Sequence, residues 1–150
     1  MKKPFVCTLA LLGAVMSSTA SAQFAKPEDA VKYRQSALSI MGTHLTRIGA
    51  MANGRVPFDA KAATENADIL ATVSRLPWAG FGPGTDKLSQ RAKPEIWAQQ
   101  AKFNELAEAM TGETAKLAAA AKTNNLDNLK TAFASTAASC KACHDAYRNN

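Results

Sequence analysis

Five residues near the C-terminus, Cys140-Lys141-Ala142-Cys143-His144, constrain this chain more than any other stretch. In a helix, positions i, i+3 and i+4 share one face, so two thiols and an imidazole would point the same way. A C-x-x-C-H run is the attachment signature of c-type haem. The thiols of Cys140 and Cys143 add across the two porphyrin vinyl groups, and His144 takes an axial position on iron. The competing readings fit less well. A redox dithiol prefers a helix N-terminus after a strand, where the dipole lowers the thiol pKa, whereas this run lies in the last turns of a helical segment. Structural zinc would need a second pair of ligands. The only other cysteine is Cys7, near the N-terminus, and the only other histidine is His44. A disulfide across three helical positions has poor geometry.

The N-terminus carries the parts of an export signal. Lys2 and Lys3 precede an apolar run from Phe5 to Met16, and Ala20-Ser21-Ala22 is a small-residue cleavage site. The run is too short to span a membrane. Residues 1–22 are therefore expected to be removed, Cys7 with them, leaving residues 23–150 as one domain in the periplasm. Export agrees with the motif, because bacterial haem attachment takes place outside the cytoplasm.

The remaining 128 residues suit a single domain. They are rich in alanine, which favours helix. Their 16 basic and 12 acidic residues leave +4, which two haem propionates would lower to about +2. No basic stripe with interleaved aromatics points to nucleic acid.

Four helical stretches follow from the pattern. The first opens at Pro27 with Glu28 and Asp29 in its first turn. It carries Val31, Leu38, Leu45 and Ala52 at one heptad phase, and Met41 and Ile48 at the other. Extending the second phase back lands on Arg34. A seam arginine wants an anion, such as a propionate with Gln35 beside it, or else snorkels from the bundle end to water. Asn53-Gly54 stops this helix. Asp59 caps the second, with Ala62, Asn66, Ile69, Val73 and Leu76 expected inward and Pro77 as its end. Pro77 to Gly84 cannot be regular helix. Trp78 and Phe81 give that connection apolar surface to lay on the bundle or on the haem. The third helix should run from Lys93-Pro94-Glu95 to about Lys122, with Ile96, Phe103, Leu106, Met110 and Leu117 inward. After Asn124-Asn125 the fourth carries Leu126, Leu129, Phe133, Ala137, Cys140, His144 and Tyr147 on its core face. The expected architecture is all-α, an antiparallel four-helix bundle with covalently attached haem c.

A bundle with this motif at its C-terminal end resembles the cytochromes c′, the class II c-type cytochromes. The resembling residues span nearly all of residues 23–150: Gln23 to Asp29, Tyr33-Arg34-Gln35, Pro77 to Gly84, Pro94-Glu95-Ile96-Trp97 and Cys140 to Arg148. The resemblance implies that Leu38 occupies the distal face of the iron, with Met41 packed nearby and not ligating. Leucine has no donor atom, so the iron would be five-coordinate and high-spin. Such a pocket suits nitric oxide and carbon monoxide, which need a distal hydrogen-bond donor less than dioxygen does. The resemblance also gives a role on the proximal side to a basic residue four positions after the histidine, here Arg148. Lys93 could reach a propionate, a homodimer through the first two helices is implied, and single-electron exchange with a periplasmic redox partner is compatible. The rival reading is a low-spin electron-transfer cytochrome with Met41 or His44 as sixth ligand. Peroxidase or nitric oxide reductase chemistry ranks below both, since His44 is the only nearby acid–base group. The stretch from Asp86 to Ala92 has no role legible in the sequence.

Overall fold

In the computed structural model, which describes residues 23–149, Pro27 begins α1 (Pro27–Ala52) with Glu28 and Asp29 in its first turn. The proposed signal segment lies outside the described residues. α1 stops where expected: Gly54 takes a φ of +69°, and the Arg55 N–H donates back to the Ala50 carbonyl at 2.8 Å. α2 (Ala60–Val73) is capped by Asp59, whose carboxylate accepts from the Ala62 N–H at 3.0 Å. After two 3₁₀ turns, Pro77–Phe81 and Asp86–Leu88, come α3 (Glu95–Ala98), α4 (Gln100–Ala121) and α5 (Leu126–Tyr147). The Asn125 side chain accepts from the N–H groups of Asp127 and Asn128 and caps α5. α1 packs on α2 and α5, and α4 packs on the same two helices. That closed ring is the antiparallel four-helix bundle.

Three details differ from the sequence expectation. α2 is rotated by about one residue: Ala63, Ala67 and Leu70 are buried, while Ile69 and Leu76 are each 41 % exposed. Small alanines let the neighbouring helices approach closely, and Leu70 then fills the space between them. α2 also ends before Pro77, at Val73; the Ser74 carbonyl beyond it accepts from the Trp78 indole N–H at 2.7 Å. The third stretch is broken at Gln99 (φ −123°, ψ 41°), which separates α3 from α4.

Two apolar clusters fill the bundle. The larger is aliphatic and includes Met41, Ile48, Met51, Leu70, Met110, Leu117 and Leu129. The smaller is aromatic, with Phe81, Phe103 and Tyr147 around Ile96, and lies toward the end where α5 finishes. Trp78 belongs to both margins. The Pro77–Lys93 connection is therefore packed as a strap across this end, chiefly against α1.

Candidate haem-binding site

α5 places Cys140, Cys143 and His144 in its last two turns. Both cysteines are free thiols, half-buried, and they face different surroundings. Cys140 packs on the aliphatic cluster and Cys143 on the aromatic one. Burial pushes both thiols above their ordinary pKa, so they stay protonated at neutral pH and are not the activated thiolates of a redox dithiol. Among the described residues, no three His, Cys, Asp or Glu side chains converge as a metal cluster. His144 is exposed, and its pKa is lowered by partial burial, then by Arg148 and Arg91, against an opposing pull from Asp145. The fold thus favours neutral imidazole, the form that can bind a metal.

Leu38 supplies an independent test of whether a haem fits. It lies at the core phase of α1, between Val31 and Leu45, yet it is 37 % exposed. A leucine in a core stripe left this open, at the end of the bundle that bears two thiols and an imidazole, is apolar surface that protein atoms do not cover. The donor set and this leucine suit a flat, largely apolar group held by two thioethers. Met41, one turn on, is buried among the aliphatic side chains. His44 is half-buried and turned toward α2, with Nδ1 2.8 Å from Asn66 Oδ1.

Arg34 is only 2 % exposed, so it does not snorkel to water. Its partners within the chain are neutral. Nη1 donates to the Gly80 carbonyl at 2.7 Å and to Thr85 Oγ1 at 2.9 Å, and Nη2 to the Thr85 carbonyl at 3.3 Å. The guanidinium also lies over the rings of Phe81 (4.4 Å) and Trp97 (5.5 Å). Arg34 therefore fastens the strap to α1. Gly80 permits the contact, since a Cβ there would lie 2.6 Å from the Ala30 carbonyl oxygen. Gln35, beside it, is exposed and free to meet a polar group.

Lys93 meets acceptors of the chain itself. Its ammonium donates to the carbonyls of Asp145 and Ala146 at 3.0 and 3.3 Å, satisfying the unpaired end of α5. Its backbone N–H donates to Tyr147 O, and the Asn149 N–H donates to Arg91 O. Ala92 and Arg148 form an antiparallel bridge. The role missing for residues 86–92 thus falls largely to its end: residues 90–93 clamp the C-terminus. Arg148 is consequently extended (φ −120°, ψ 133°) rather than one helical turn beyond His144. Its side chain still shares an open groove of about 580 Å³ with His144, Arg91, Lys93 and Asp145.

A family profile described as Cytochrome C′ matches residues 29–148. The chain is 52 % identical over 126 residues to a cytochrome c′ of Alcaligenes xylosoxydans xylosoxydans, covering 84 % of this chain and 98 % of that one. It is 45 % identical over 127 residues to a cytochrome c′ of Rubrivivax gelatinosus, with the same coverage. Among solved structures, it is similar to the nitric oxide complex of a leucine-to-alanine variant of cytochrome c prime from Alcaligenes xylosoxidans. That match has a TM-score of 0.79 and 49 % identity, and covers 85 % of this chain and 99 % of that one.

Proposed function

The chain belongs to the cytochrome c′ family and carries covalent haem c, and we propose that it is an exported gas-binding protein that holds nitric oxide, and carbon monoxide, at a five-coordinate haem. In this reading residues 1–22 are a cleaved signal, residues 23–150 are the periplasmic domain, and Cys140, Cys143 and His144 are the haem attachments and axial ligand. The haem iron, when bound, supplies the centre that accepts the diatomic ligand and can exchange single electrons with a redox partner.

The observation that carries the proposal is the exposed Leu38 on an otherwise core-facing stripe. Its side chain offers neither a ligand to iron nor a hydrogen-bond donor, so it excludes water and leaves a bound gas without polar help. That selects for diatomics that tolerate an apolar site; a leucine-to-alanine variant of a relative forms a nitric oxide complex. Arg148, in the groove with His144, puts a cation on the opposite side, where it can donate to a ligand or stabilise developing negative charge. Arg34 holds the strap and contributes positive charge near Gln35, the two residues assigned to the propionate side. Lys93 acts at one remove, by fixing the end of α5 that bears His144.

The six-coordinate alternative is disfavoured by the positions of its two donors. Met41 is enclosed by aliphatic neighbours, and His44 is turned toward α2, where its ring meets Asn66. Exposed Ile40 on α1, with Ile69 and Leu76 on and beyond α2, supports the homodimer expected through the first two helices. No described helix is long and apolar enough to cross a membrane.

Carbon monoxide binding to Leu38→Ala tests the proposal. Because the leucine is already partly uncovered, the variant should fold normally, and stopped-flow mixing should show faster association than the parent. Unchanged kinetics would remove Leu38 from the gas path.

A further inference from the structure

Both tryptophans of the chain and one of its two tyrosines belong to or pack on the aromatic cluster against which Cys143 also packs. The rings are close enough to form a continuous path. Tyr147 meets Phe103 at 5.5 Å between centroids and 86°, and Phe103 meets Trp78 at 5.7 Å and 71°. Phe81 lies 4.8 Å from Phe103 and 6.3 Å from Trp78. These are ordinary edge-to-face and stacked packings, so filling space explains their geometry but not their chemistry. The aliphatic cluster of the same bundle fills space with no tryptophan or tyrosine in its buried set.

The path also has two ends. At one, Cys143 packs against the cluster. At the other, half-buried Trp78 lines an open groove with Arg75, Asn104, Glu108 and Thr111. We propose that Tyr147, Phe103 and Trp78 are an electron path from this groove to the haem, and that it supplies electrons when hydrogen peroxide is the oxidant. The proposal rests on the reading that Cys143 carries the haem.

Hydrogen peroxide becomes two waters by taking up two electrons and two protons. Tyr147 provides one electron and one proton. Its hydroxyl donates to Gln99 Oε1 at 3.3 Å, and Gln99 is exposed, so the proton has a way to solvent. Trp78 provides the second electron and keeps its indole proton, because an indole radical cation is a far weaker acid than a phenol radical cation and its N–H faces only the neutral Ser74 carbonyl. Solvent supplies the other proton. One peroxide, one phenol, one indole and one proton thus give two waters, a phenoxyl radical and an indole radical cation, and the iron ends ferric as it began. Trp97 is a poorer donor, because the Arg34 guanidinium lies 5.5 Å from its ring and a neighbouring positive charge opposes loss of an electron.

The test uses the ferric holoprotein. Peptide mass first establishes whether Cys143 carries haem. The protein is then mixed with hydrogen peroxide, freeze-quenched and read by EPR, alongside Tyr147→Phe, Trp78→Phe and Trp78→Tyr, each first checked for the parent's ferric spectrum. The expected parent signal has phenoxyl and indole components. Tyr147→Phe loses the first. Trp78→Phe loses the second and bleaches its haem severalfold faster, and Trp78→Tyr restores slow bleaching with a second phenoxyl signal. Haem on Cys143 with a radical confined to Tyr33, or with bleaching unaltered in Trp78→Phe, would overturn the path alone. Cys143 free of haem would overturn both the path and the attachment beneath it.

Discussion

The two ends of the bundle are filled by different means. Around Ile48, Leu117 and Leu129 the four helices close on one another with aliphatic side chains that are wholly buried. Gly49 lets α1 lie against Phe133, since a Cβ there would come within 2.7 Å of the ring. At the other end α5 presents two thiols and an exposed imidazole, Leu38 is left uncovered, and a strap from Pro77 to Lys93 replaces helix–helix contact. One end completes its core from the chain alone. The other leaves apolar surface that a haem can cover, and it uses buried polar contacts, Arg34 to Gly80 and Thr85, to hold the strap in place. Stability and ligand chemistry should therefore respond to substitutions at different ends.

The largest separation is expected from Leu117→Ala. It empties a fully buried position in the aliphatic cluster and should lower stability by about 3 kcal/mol, measured by denaturant unfolding, with the haem spectrum unchanged. Gly80→Ala should act at the other end. Its methyl would collide with the Ala30 carbonyl and the Arg34 side chain. About 2 kcal/mol is expected, with faster hydrogen exchange confined to the strap and a shifted haem spectrum. Equal spectral shifts in both variants would erase the distinction between the ends.

Lys93→Met removes the cation from the α5 C-terminus. The loss should be about 0.5 kcal/mol, seen as exchange at Tyr147 to Asn149 rather than in the bundle. The smallest effect concerns pH, and is best read in a haem-free Cys140→Ser/Cys143→Ser protein. Partial burial, then Arg148 and Arg91, lower the pKa of His144, so the fold prefers the neutral ring. Stability from this preference is present above the unfolded value, about 6.5, and is lost as pH falls through that value toward the lower folded one. NMR titration of the imidazole should give a folded pKa below that of an unfolded peptide, and Arg148→Gln should raise it.

Much of this was legible in the chain, and the exceptions have physical reasons. The attachment motif could be read because its chemistry is local, three residues on one helical face. The α1 stripe could be followed back to Arg34 because Met41 and Ile48 are large enough to mark a phase. In α2 alanines carry the contact, and alanine marks no phase strongly; Ile69 and Leu70 stand side by side, and only close packing at Ala63 and Ala67 decides between them. No glycine or proline announces the break at Gln99. The partners of Arg34 and the bridge between Ala92 and Arg148 join residues some 46 to 56 positions apart, and no short-range pattern encodes them. Lys93 was expected near a propionate and the resemblance set Arg148 on the proximal side; the bridge that governs where both side chains start was not legible.

The most direct test of the central claim is the optical and EPR spectrum of the purified ferric and ferrous protein, with and without nitric oxide. A broad high-spin Soret band, no sharp ferrous α-band and a clear shift on adding nitric oxide are the results expected for a haem faced by Leu38. A sharp low-spin α-band, or a methionine–iron charge-transfer band, would place Met41 or His44 on the iron and contradict the account.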